Sequence, residues 1–166
     1  MPEAGEAAPA FESKIVPRER LAAAVAQLPR PIVLTNGVFD LLHRGHVTYL
    51  ARARKLGASL VVAVNSDASV RQLDKGADRP ISAAQDRAAV LAALESVTLV
   101  TIFDEHVPLP VLQIVRPEVY VKGGDYSVGS TPEGQLASSW GARVLAIPFE
   151  HDRSTTALLQ RIRASR

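Results

Sequence analysis

His43 and His46 stand three residues apart in LLHRGH, with Gly45 directly before the second imidazole. On a helix that spacing places two side chains on one face. Two kinds of chemistry follow. A zinc site would need at least a third protein ligand, and the remaining histidines, His106 and His151, sit in no ligand motif. An anion site needs only a helix N-terminus, whose unpaired N–H groups and dipole favour negative charge. Two imidazole donors would then hold a phosphate, and Gly37 and Gly45 would let the backbone approach it closely. The plainer alternative is a pair of surface histidines at a helix start.

Other residues with chemical capacity fall at comparable places. Lys122 precedes Gly123 and Gly124 in VKGGDY, a position that suits a lysine on a phosphate. Asp125 and Tyr126 follow, either to contact a ligand or simply to form a turn. Ser154, Thr155 and Thr156 can cap a last helix, and a capped helix start is also an anion site. Lys75 and Arg79 lie in the punctuated stretch DKGADRP, which reads as a basic loop. Asp40 suits a structural turn or hydrogen bonding to a ligand or its neighbours. Arg87 suits a helix-surface ion pair with Asp86 or Asp78.

The elements that must position these groups alternate along the chain. PIVLTN, SLVVAVN, TLVTIF, EVYVK and ARVLAI read as strands; the second is apolar at nearly every position, as in a parallel sheet covered on both faces. Helices are expected from Pro17, over HVTYLARARKLG with Val47, Leu50, Ala51, Ala53 and Leu56 on the apolar face, and briefly over DASVRQL. Ser82 and Gln85 have capping-box spacing before AAQDRAAVLAAL. Further helices are expected over VPLPVLQIV, PEGQLASSW and STTALLQRIRAS. The alternation predicts an α/β fold: one domain, a doubly wound, Rossmann-like parallel sheet of five strands flanked by helices. Ligands of such sheets lie beyond the strand carboxyl ends, where TNGVFD, NSD and KGGDY fall. Residues 1–14 lack periodicity and are expected to be a flexible tail to a domain over 15–166.

Bulk properties narrow the partners. The chain has 166 residues, 47% of them hydrophobic, and no cysteine, so disulfides and Cys-based zinc sites are excluded. No run of about 18 or more apolar residues marks a membrane span, and the acidic start lacks the order of a secretory signal. A cytoplasmic location is expected, with no membrane partner. The formal net charge is +2, which gives no ground for a nucleic-acid partner.

Taken together, GVFDLLHRGHVTYLARARKLG, VAVNSD, VKGGDY and RSTTALL resemble, in order, the motifs of the HxGH nucleotidyltransferase superfamily. NSD, the KG and RP loop, QDR, VKGGDY and STT are most similar to the D-glycero-β-D-manno-heptose 1-phosphate adenylyltransferase family, as a stand-alone transferase. The resemblance implies transfer of AMP from ATP to the sugar 1-phosphate, with ADP-heptose and pyrophosphate as products, for lipopolysaccharide inner-core or heptose glycan synthesis. It implies catalytic roles for His43, His46 and Lys122. It implies nucleotide contacts from Asn36, Gly37, Val38, Phe39, Gly45, His46, Gly123, Asp125, Tyr126, Arg153, Ser154 and Thr155. Asp40, Asn65, Lys75, Arg79 and Arg87 would meet the sugar phosphate, with Lys75 and Arg79 on a mobile lid. Mg²⁺ would be held through the phosphates of ATP and not by protein side chains. A homodimer is implied as well. A cytidylyltransferase making a CDP-alcohol and a silent nucleotide-binding regulator are the alternatives. Relatives handling cytidine nucleotides often carry an Arg several residues before the ISTT-like motif. Here Phe149 takes that approximate place and Arg153 directly precedes Ser154, which weighs against CTP.

Overall fold

Five parallel strands set the site. In the computed structural model, which describes residues 7–124, 127–150 and 154–165, they are β1 (Ile32–Gly37), β2 (Ser59–Asn65), β3 (Leu99–Phe103), β4 (Val119–Gly123) and β5 (Arg143–Ile147). They lie in the order β3-β2-β1-β4-β5, and every pairing is parallel. Every residue of β2 is buried, as its unbroken apolar run requires of a central parallel strand.

The helices are α1 (Arg18–Ala26), α2 (Arg44–Arg54), α3 (Asp67–Arg71), α4 (Ala84–Ala92), α5 (Leu109–Val115), α6 (Pro132–Ser138) and α7 (Thr155–Ala164). Alternate residues of each strand feed two cores. Val33, Leu60, Val62 and Val64 meet Tyr49, Leu50 and Leu91 from α2 and α4 on one face. Ile32, Leu34, Val61 and Ala63 meet Leu21, Val111, Leu112 and Ala137 from α1, α5 and α6 on the other. This split follows from right-handed crossovers. The chain moves outward from β1 to β2 and β3 over one face, then returns across the other to reach β4. The reversal lies between β1 and β4, so a crevice opens at their carboxyl ends.

Three expectations change. Ala10–Lys14, expected within a flexible tail, forms a 3-10 turn; Phe11 and Ile15 pack on the core, and Ile15 bridges to Val100. Apolar contact orders the segment where periodicity gave no signal. Ser82 does not cap α4, whose N-cap is Ala83 with no side-chain bond; the Ser82 backbone is engaged elsewhere, as described below. The inner face of α2 is Gly45, Tyr49, Leu50 and Ala53, while Val47 is exposed. Tyr49 takes the inward place because its hydroxyl meets Thr35 Oγ1 at 2.5 Å and donates to the Val121 carbonyl at 3.4 Å. A further 3-10 turn, Val128–Ser130, precedes α6.

Candidate active site

Two helix N-termini converge on the crevice. His43 is the N-cap of α2, and the His46 Nδ1 accepts from the His43 backbone N–H at 3.4 Å. That bond uses the acceptor nitrogen of neutral His46 and leaves its proton on Nε2, free to donate. The two rings lie 3.9 Å apart at 30°. Burial first, and the neighbouring His43 second, pull the His46 pKa down to about 4. Without an anion His46 is therefore neutral at ordinary pH. At the other helix, Ser154 Oγ accepts from the Ala157 N–H and caps α7. Thr155 Oγ1 donates to the Leu41 carbonyl at 3.2 Å and ties α7 to the loop before α2.

Between these termini lies a cleft of about 420 Å³, lined by Val38, Phe39, Asp40, His43, His46, Lys75, Arg79, Phe149, Ser154, Thr155 and Thr156. A second hollow continues along the strand ends past Asn36, Gly37, Lys122 and Gly123. A third reaches Asn65, His106 and Glu133. Lys75 borders all three. Parallel pairing sets β4 beside β1, and the Lys122 ammonium donates to the Asn36 carbonyl at 3.3 Å. Burial lowers the Lys122 pKa; Glu133 partly offsets this, and Lys75 adds to the lowering. The Asn36 side-chain oxygen accepts from the Tyr120 hydroxyl at 2.6 Å.

The site residues read from sequence divide into groups. Asn36, Gly37, Val38, Phe39, His43, His46, Lys75, Arg79, Lys122, Gly123, Ser154 and Thr155 share these connected hollows. Gly45 is buried in the first turn of α2. Asn65 borders the third hollow, but its amide donates to Ser69 Oγ at 2.9 Å. Asp125, Tyr126 and Arg153 lie outside the described residues.

Asp40 takes the structural role that was one of its two expected uses, and Arg87 forms an ion pair with a different aspartate from the two expected. The Asp40 carboxylate, 0% exposed, accepts from Arg79 Nε at 2.6 Å and from the backbone N–H groups of Ile81 and Ser82 at 2.9 Å each. Burial alone would raise its pKa, but these donors hold it below the usual carboxylate value. These bonds anchor the loop to the cleft wall. Arg87, with 1% side-chain exposure, donates to the carbonyls of Ser82 and Val38 and to Asp67. Neither Asp86 nor Asp78 is its partner. Asp78 pairs with Arg163 of α7.

Phe149, Tyr49, His106 and Glu133 also border the hollows, and none was read as a site residue. Phe149 stands edge-on to His46 at 6.2 Å. Its position just beyond a strand end was the available signal, as it was for His106. Glu133, in the first turn of a helix, carried none. Among the described residues no three His, Asp or Glu side chains group to hold a metal ion. No helix among them is long and apolar enough to cross a membrane.

A cleft with two helix N-termini, a strand-end lysine and a basic loop suits a polyphosphate. The cytidylyltransferase-like family matches residues 34–153. The D-beta-D-heptose 1-phosphate adenylyltransferase of Bordetella bronchiseptica is 61% identical over 155 residues, covering 92% of this chain and 96% of that protein. The bifunctional protein HldE of Koribacter versatilis is 47% identical over 94% of this chain, which spans only 32% of that longer relative. Among solved structures, a lipopolysaccharide core biosynthesis protein from Thermoplasma volcanium superposes with a TM-score of 0.59 at 29% identity, covering 74% of this chain and 98% of its own. Pantoate-beta-alanine ligase from Francisella tularensis, at 13% identity and a TM-score of 0.57 over 86% of this chain and 68% of its own, shares the fold.

Proposed function

The chain belongs to the cytidylyltransferase-like family of nucleotidyltransferases, and on that premise we propose that it transfers AMP from ATP to D-glycero-β-D-manno-heptose 1-phosphate. The products are ADP-heptose, a precursor for lipopolysaccharide core, and pyrophosphate. The observation that carries the substrate choice is the 61% identity to an adenylyltransferase of that name across nearly the whole of both chains.

The nucleophile is a phosphate oxygen of the sugar phosphate, already anionic at neutral pH. It forms a bond to the α-phosphorus of ATP as the bond from that phosphorus to the bridging oxygen breaks, and the electron pair leaves with pyrophosphate. No general base is required. The barrier is repulsion between anions, so the protein contributes position and positive potential. The N-terminus of α2 and the Nε2–H of His46 stabilise charge on the triphosphate, with His43 beside them. Lys122 meets the α-phosphate between the two substrates. Ser154 and Thr155 present the start of α7 to the nucleotide. Lys75 and the η nitrogens of Arg79 meet phosphate from the loop; Asp40 holds Arg79 through Nε. Magnesium bound to ATP would neutralise part of the charge on its phosphates, held by those phosphates and not by protein side chains. A cytoplasmic setting, where ATP and sugar phosphates are made, and a homodimer belong to the same proposal.

Pyrophosphate release with purified protein tests the assignment. ATP with heptose 1-phosphate is the pair expected to turn over. Silence with that pair, together with turnover of CTP and an alcohol phosphate, would assign the chain to CDP-alcohol synthesis instead. Light scattering tests the dimer.

A further inference from the structure

Three consecutive residues, Val38, Phe39 and Asp40, follow β1 in the loop that leads to α2, and each is held differently. The Val38 carbonyl accepts from the Arg87 guanidinium at 2.6 Å. Phe39 has φ +49°, a left-handed conformation that a bulky L-residue adopts only when its surroundings impose it. Its ring meets the His46 ring edge-on at 5.5 Å. Asp40 grips the far end of the basic loop through Arg79, Ile81 and Ser82. Arg87 closes the circuit, because its Nε donates to the Ser82 carbonyl at 2.9 Å. It also donates to the Asp67 carboxylate, at the start of α3, at 2.8 Å.

We propose that Arg87 is a positioning residue for the transfer reaction: by gripping the Val38 carbonyl it holds Phe39 in the left-handed conformation and the Phe39 ring against His46. The inference rests on the functional reading above. Arg87 itself touches no substrate. A planar guanidinium can serve three acceptors in fixed directions, whereas a lysine ammonium is a single point charge on a flexible stem. The Asp40 and Arg87 clamps meet at Ser82. The loop root and the turn that orients His46 are thereby one buried polar unit, and the rest of the loop is left to move over phosphate.

The test compares Arg87→Lys with Asp67→Ala, with Phe39→Leu as a second probe. Asp67→Ala removes one bond to Arg87 and leaves those to Val38 and Ser82. Both Arg87→Lys and Asp67→Ala are expected to lower Tm. Only Arg87→Lys is expected to lower kcat, by roughly ten- to a hundredfold, the scale of a small misplacement of a reacting group. KM for ATP should change less than kcat. The His46 ring resonances should shift in Arg87→Lys and stay in place in Asp67→Ala. Phe39→Leu, which retains Arg87, should reproduce the kcat loss and decides the matter if Arg87→Lys does not fold. Equal kcat losses in Arg87→Lys and Asp67→Ala, or a wild-type kcat in Phe39→Leu, would overturn the proposal. The wild-type rate with ATP and heptose 1-phosphate tests the functional reading separately. The variant-to-wild-type ratios are taken with whichever nucleotide and phosphate the wild type turns over.

Discussion

The His43 backbone N–H donates to the His46 Nδ1 across the first turn of α2, and this relationship decides what His46 can give a substrate. The neutral ring keeps its proton on Nε2 and offers it as a donor to phosphate. His46→Ala removes that donor and leaves the helix N-terminus. The expected result is a kcat lower by roughly two to three orders of magnitude, the scale of losing one transition-state donor. Pyrophosphate release under saturating substrates measures it, and near-normal kcat would end the role given to His46.

His46 also makes a pH prediction. Its pKa is lowered from 6.5 to about 4 in the folded protein. The unfolded chain therefore binds the extra proton over a window in which the folded chain does not. His46 stabilises the fold fully above about 6.5, and that contribution is lost as pH falls from there to about 4. Tm in the ligand-free protein should decline over this window, and less so in His46→Gln. An NMR titration with a His46 midpoint near 6.5 would contradict the burial that lowers it.

Asp40 carries a third expectation. Asp40→Ala leaves Arg79 without its carboxylate and strips the acceptor from two backbone N–H groups. Breaking such a buried pair costs about 3–5 kcal/mol. Urea denaturation should show a loss on that scale, and limited proteolysis should cut the loop from Gln72 to Ser82 sooner than in the wild type. An unchanged midpoint would mean that the clamp contributes nothing to stability.

Two glycines separate function from folding. A Cβ on Gly134 would lie 2.0 Å from the Val128 carbonyl oxygen, which is backbone and has nowhere to go. A Cβ on Gly123 would lie 2.5 Å from the Phe149 ring, which is 43% exposed and can swing away. Gly134→Ala should lose about 1–3 kcal/mol of stability. Gly123→Ala should keep a Tm close to wild type but raise KM for ATP several-fold, because the displaced ring borders the cleft. Calorimetry and initial rates distinguish the two; the reverse pattern would refute the assignment of Phe149 to the cleft wall.

Much of the site was legible because its pieces are local. The glycine-rich stretch after β1, Asn65 at the end of β2 and KGG each sit where an apolar run stops, and a parallel α/β sheet gathers strand ends on one edge. Arg87 and Asp40 were not legible in the same way. A charged residue near a phosphate motif looks like a ligand for phosphate. Its real partners, the Val38 and Ser82 carbonyls for Arg87 and the Arg79 and loop N–H groups for Asp40, are distant in sequence or hidden in the backbone. Ser82 and Gln85 misled for a related reason. The spacing fits a capping box, but the Ser82 backbone is committed to Asp40 and Arg87, and α4 starts one residue later at Ala84.

By itself the sequence determined the order of strands and helices, the five-stranded parallel sheet and the motifs at its carboxyl edge. These depend on hydrophobic periodicity and turn chemistry, which act over a few residues. Only the tertiary structure decided which polar groups remain available to a substrate. That depends on strand order, since β1 must lie against β4 to bring Lys122 to Asn36. It also depends on loop geometry, since a buried charge is satisfied by whatever donor or acceptor the folded chain brings within about 3 Å. His43 and His46 reach the cleft, whereas Arg87 is consumed beneath it.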